Sequence, residues 1–136
     1  MAREMFGEEL QVERVWIIQA PAFGFYACAP FRNSVLFGKW RAPLDFGAAN
    51  IHEQGWLIHE LAHVWQAQSG VVLPLAKLGA VGKRAYAIKS GAAFSALNIE
   101  AQAEVARGAF LARRGYHEPS MPPTDELKAL WREALS

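Results

Sequence analysis

The stretch Leu57-Ile58-His59-Glu60-Leu61-Ala62-His63-Val64-Trp65-Gln66 sets two histidines and a glutamate among residues that otherwise belong inside a protein. On a 3.6-residue helix Leu57, Leu61 and Val64 fall opposite the histidines, so the polar face must meet a cleft or another polar group. Burying an imidazole or a carboxylate is costly unless something pairs with it, and this segment holds no such partner. The stretch therefore predicts a central helix whose polar partner lies elsewhere in the chain. The helix should begin near Ile51 to Gly55 and end at Gly70.

His59 and His63 are four residues apart, which puts both imidazoles on one face, one turn above the other. That spacing suits a single Zn²⁺, which takes nitrogen ligands at about 2.0–2.1 Å. Glu60, rotated by roughly 100° from His59, would stand beside the ion. From there it could take a proton from a water whose pKa the metal lowers to about 7, and later pass it to a leaving amine. This is the HExxH arrangement of metallohydrolases. The competing reading is a pair of packing histidines beside an unrelated glutamate.

A catalytic zinc wants three protein ligands and an open position. In "NIEAQAE", Asn98 to Glu104, two glutamates stand four apart on one helical face. Glu100 is the candidate third ligand. Glu104, one turn on, could accept the second ring N–H of a zinc histidine and fix its tautomer. The alternative is a solvated face on which Glu100, Glu104 and Arg107 form local ion pairs. His52 is about 10.5 Å along the axis from His59, too far for the same ion, and reads as cleft rim or N-terminal turn. Tyr86 and His117 are candidates for contacting substrate or an oxyanion. Trp56 and Trp65 read as packing.

The segments Val12 to Pro21 and Asn33 to Trp40 look like short strands, with Gly24, Pro30, Pro43 and Gly47 marking turns around them. "NSVLFGK" could serve as an edge strand that holds an extended peptide. Residues 71–91, broken by Pro74 and three glycines, read as a loop or a short helical piece. A second long helix is expected from about Ala92 to Arg114, and a final amphipathic one with Thr124 or Asp125 as its N-cap. The expected fold is α+β, one domain over residues 1–136, with a short twisted sheet near the N-terminus packed on the two site-bearing helices.

Among 136 residues, 14 Lys and Arg against 13 Asp and Glu give a net charge of +1 with no basic stripe, so neither nucleic acid nor a membrane is expected as a partner. The one cysteine, Cys28, excludes an intrachain disulfide and a cysteine-based metal site. The acidic residues near the start do not read as a signal peptide, which predicts a cytoplasmic chain unless a dedicated secretion system exports it.

"HELAHVWQ" followed by "NIEAQAE" resembles the zincin-like, gluzincin-type HExxH metallopeptidase domains of bacteria. These include proteins related to type VI secretion spikes and Rhs components, and others found with contractile injection systems. The resemblance covers Asn33 to Ala112 and includes "NSVLFG" as the strand before the helix. It implies one zinc held by His59, His63 and Glu100, with Glu60 catalytic and Glu104, where the clan often has aspartate, orienting a histidine. It also implies a peptide or protein substrate and a secretion-system component as partner. The clan's well-known proteases carry larger flanking domains, which points to a narrow substrate range. The alternative is a non-catalytic binding or assembly module with a structural or vestigial metal site.

Overall fold

The structure, a computed structural model, describes residues 1–22 and 24–136, with the side chain of Lys83 outside the description. The fold is α+β, as the sequence predicts: among the described residues, three short strands and five helices surround one core. Strand β1 (Trp16–Gln19) and strand β3 (Ser34–Phe37) fall inside the two expected strand segments. Strand β2 (Ala27–Phe31) falls in the stretch that sequence marks only with turns. Its antiparallel register with β3 shifts between Cys28 and Phe31, an irregularity next to Pro30 that breaks the alternation a strand would otherwise display.

The strand order β1-β3-β2 corrects one expectation directly. "NSVLFGK" is not an edge strand: β3 lies in the middle, parallel to β1 and antiparallel to β2, so both its edges are taken. The outer strand that packs against the long helix is β2.

Helix α1 (Ala2–Phe6), absent from the sequence reading, drives Met5 and Phe6 into the core. Helix α2 (Ile51–Gln68) starts where Asn50 caps it. The Asn50 side chain accepts from the backbone N–H groups of His52 and Glu53, and Glu53 accepts from the Asn50 N–H, a complete capping box. Gly70, at φ 101°, follows the last turn in a conformation that glycine adopts without strain.

Residues 71–91 contain the short helix α3 (Leu73–Leu78), with Pro74 in its first turn, and a 3₁₀ turn at Lys83–Tyr86. Helix α4 (Ile99–Arg113) begins seven residues later than expected. Asn98 supplies its cap, accepting from the N–H groups of Glu100 and Ala101, and a separate 3₁₀ turn occupies Phe94–Ala96. Helix α5 (Thr124–Ala134) has Pro123 at its N-cap, with no side-chain cap hydrogen bond from Thr124 or Asp125.

The most extensive packing between elements is α2 against α4. Gly55 lies in that contact: a Cβ there would stand 3.4 Å from both Arg107 and Leu111, at van der Waals distance. Trp131 of α5 closes the far side, its indole N–H donating to the carbonyl of Met5 and its ring meeting Phe6, Trp65 and Phe94.

Candidate metal centre

His59 and His63 project from α2, and Glu100 and Glu104 from α4, all of them buried. Glu100 Oε2 lies 3.3 Å from His59 Nε2 and 3.1 Å from His63 Nε2. One ligating atom from each of these three residues lies within 4.8 Å of the others, and among the described residues this is the one such cluster. Ligands about 2.1 Å from a tetrahedral ion stand about 3.4 Å from one another, close to the two separations given.

The hydrogen bonds behind the cluster decide which nitrogen faces inward. Glu104 Oε1 lies 2.8 Å from His59 Nδ1, and a carboxylate can only accept there. Gln66 Oε1 lies 2.9 Å from His63 Nδ1. The orientation of that amide is fixed, because its Nε2 donates to the Ile99 carbonyl and to Gln102 Oε1. Both Nδ1 atoms therefore carry hydrogen, and both Nε2 atoms turn toward Glu100. Two imidazole lone pairs facing a carboxylate oxygen repel unless a cation, either a proton or a metal, stands between them.

The electrostatics of the cluster agree with that reading. Burial pushes the His59 pKa down, but hydrogen bonds to Glu100 and Glu104 outweigh it and hold the ring at about 9. Burial alone would raise the Glu100 carboxyl, yet the hydrogen bonds to His59 and His63 hold it well below the usual carboxylate range. Glu104 is likewise held low against burial, by His59 and by Arg107. Arg107 makes a fork with each of two carboxylates, reaching Glu104 at 2.9 Å and Glu118 at 2.7 and 2.8 Å. Its guanidinium also lies 4.7 Å from the centre of the Trp56 ring. The solvated-face reading of Glu100, Glu104 and Arg107 fails, because each is 5–6% exposed.

Glu60 faces the same cavity of about 310 Å³, and its Oε2 is buried without a hydrogen-bond partner. Tyr86 joins it there, its ring stacked on His59 at 5.9 Å between centroids. Burial, followed by the charges of Glu100, Glu60 and Glu104, raises the Tyr86 pKa, so the hydroxyl stays a donor. His117 lies outside this set: its ring bonds the Pro122 carbonyl at 3.0 Å, and its neighbour Glu118 makes the contact that reaches the site. His52 sits at a cavity rim, 4.0 Å from Glu118.

Sequence reasoning passed over Gln66, Lys77 and the larger part played by Trp56. Lys77 lines the cavity with its amine 3.7 Å from Glu100 Oε1. Gln66 was detectable, as an amide on the histidine face three residues past His63. Lys77 lies across a loop and gave no local signal.

The fold and cluster together define a small α+β domain with a buried His-His-Glu centre and a second carboxylate, Glu104, behind it. No family model matches the chain. It is 33% identical to the type VI secretion system spike protein VgrG2b of Pseudomonas aeruginosa, over 70% of this chain and 10% of that protein. The effector domain of P. aeruginosa VgrG2b superposes with a TM-score of 0.70 at 30% identity, covering 88% of this chain and 73% of that domain. The chain belongs to the family of the VgrG2b effector domain. It spans about a tenth of the length of the spike protein it matches. No helix among the described residues is long and apolar enough to cross a membrane.

Proposed function

We propose that His59, His63 and Glu100 hold one zinc ion and that the domain is a zincin-like, metal-dependent peptidase exported through a type VI secretion system. The observation that carries this reading is the convergence of two Nε2 atoms on one carboxylate oxygen, with both Nδ1 hydrogens already committed. The secretion route rests on membership of the VgrG2b effector-domain family.

When bound, zinc supplies Lewis acidity toward a carbonyl and a water. The chain's own groups do the rest. Glu60 takes a proton from the attacking water on its unpartnered Oε2 and returns it to the leaving amine. The Tyr86 hydroxyl donates to the oxyanion that develops on the carbonyl. Glu104 and Gln66 keep both imidazoles in the Nδ1–H tautomer. Peptide backbone would lie along the Phe25 to Ala27 margin of the cavity, beside the outer strand β2.

The test is hydrolysis of a mixed synthetic peptide pool by the zinc-loaded chain. Glu60→Gln is expected to keep its zinc and lose about 10²–10⁴-fold in rate. Equal cleavage by Glu60→Gln, or no cleavage by the unchanged zinc-loaded chain, contradicts the catalytic part. In the latter case a secretion-associated binding module becomes the better reading. One feature favours that module: protonated His59 bridges Glu100 and Glu104 without any metal, although His63 Nε2 then still faces the Glu100 carboxylate.

A further inference from the structure

The larger neighbouring cavity, about 550 Å³, has walls that the proposed chemistry does not use. Phe37 and Phe46 meet at 5.6 Å on one side and Trp40 and Trp56 at 5.4 Å on another, so the space suits a flat or bulky apolar group. Trp40 and Trp56 also line the metal-centre cavity, which makes the two spaces neighbours across one pair of indoles.

The wall is built on a fixed loop. Gln19 donates to the carbonyls of Phe37, Gly38 and Trp40 and accepts from the Ala42 N–H, while the Gly38 and Lys39 N–H groups bond the carbonyls of Tyr26 and Phe25. Lys39 and Arg41 flank Trp40 on that loop, and neither has an ion-pair partner among the described residues. Lys39 lies 5.2 Å from the centre of the Tyr26 ring. The acid on the same wall, Glu53, keeps its charge but is held in the helix cap by the Asn50 N–H, and Lys39 and Arg41 together outweigh it along the lining.

We propose that this cavity selects substrate, taking a large aromatic side chain while Lys39 and Arg41 bind a carboxylate one residue away. The substrate class is thus peptides in which Phe, Tyr or Trp adjoins Asp or Glu. The inference rests on the peptidase reading, since continuity with the metal centre is what makes the occupant a peptide. An apolar cavity alone would accept any hydrophobic group; the two unpaired cations make the choice.

The test measures binding of blocked tetrapeptides to the zinc-loaded Glu60→Gln chain by tryptophan fluorescence. The probes are Ala-Phe-Asp-Ala, Ala-Asp-Phe-Ala, Ala-Phe-Lys-Ala and Ala-Ala-Asp-Ala. The better of the two Phe/Asp peptides should bind about tenfold more tightly than either of the others. The preference for Asp over Lys should disappear in Lys39→Ala/Arg41→Ala and reverse in Lys39→Glu/Arg41→Glu. All four substitutions are at exposed positions, and retained helical circular dichroism checks the fold.

Equal binding of all four peptides, an Asp preference that survives charge reversal, or tighter binding of adenosine monophosphate than of any peptide would overturn the proposal. The two readings fail separately. Cleavage of the pool without this preference removes the specificity proposal and leaves the peptidase, whereas selective binding without cleavage by the unchanged chain removes the peptidase and leaves a peptide-binding site.

Discussion

His59 is where proton and metal compete. Its pKa stands at about 9 in the folded protein against 6.5 ordinarily, so in the metal-free chain its pairing with Glu100 and Glu104 stabilises the fold fully below about pH 6.5. That contribution is lost as pH rises through 9. Metal displaces the proton, so zinc affinity should rise with pH up to about 9 and each ion bound at neutral pH should release protons. Calorimetry in buffers of differing ionisation enthalpy counts those protons, and a pH-independent affinity between 7 and 9 would contradict the assignment. Arg107 acts one residue further back. Arg107→Ala leaves Glu104 and Glu118 without their shared cation and should cost about 3–5 kcal/mol by chemical denaturation. A loss below about 1 kcal/mol would mean that the two forks carry little. Sequence points to His59 with His63 and to Glu100 with Glu104 because each pair stands one helical turn apart, and to Glu60 because it adjoins His59 in the HExxH pattern. It could not show that Arg107 links Glu104 to Glu118, since that contact depends on how the 114–122 loop folds back.

At the scale of elements, the two site helices are positioned from their N-termini. Asn98 Oδ1 accepts from the Glu100 and Ala101 N–H groups at 3.0 Å each, so the cap and the candidate ligand share one turn. Asn98→Ala should cost about 1 kcal/mol of stability and also weaken zinc binding, whereas Asn50→Ala should cost about the same with a smaller effect on zinc, because Asn50 caps nine residues before His59. Denaturant melts with parallel zinc titrations check both, and equal effects on zinc would contradict the account. The end of helix α2 is legible from Gly70, while the sequence narrows its start only to between Ile51 and Gly55, and the Asn50–Glu53 capping box settles it at Ile51. Helix α4 begins later than its pattern suggests because Phe94, Ala96 and Leu97 continue the apolar spacing, while Asn98 offers its cap inside it. Strand β2 was hidden by Pro30 and the register shift beside it, and the middle position of β3 follows from pairing across the sheet, which no local pattern states.

Across the whole molecule, the strands form one wall of a cleft whose floor is the α2–α4 pair, and the Gln19-pinned loop brings Trp40 and its flanking cations to the rim. The α+β class follows from strand-like segments giving way to long helices, and the structure, which superposes on the VgrG2b effector domain, carries it. The aromatic cavity was illegible, because Phe37, Trp40, Phe46 and Trp56 come from three separate segments that no local pattern joins. The central claim is a metal ion between α2 and α4, and zinc stoichiometry of the purified chain tests it most directly. After zinc loading and removal of excess, the account predicts about one ion per chain, retained in Glu60→Gln and lost in His63→Ala and Glu100→Ala. A chain that retains no zinc, or a Glu100→Ala variant that binds it as tightly as the unchanged chain, would contradict it.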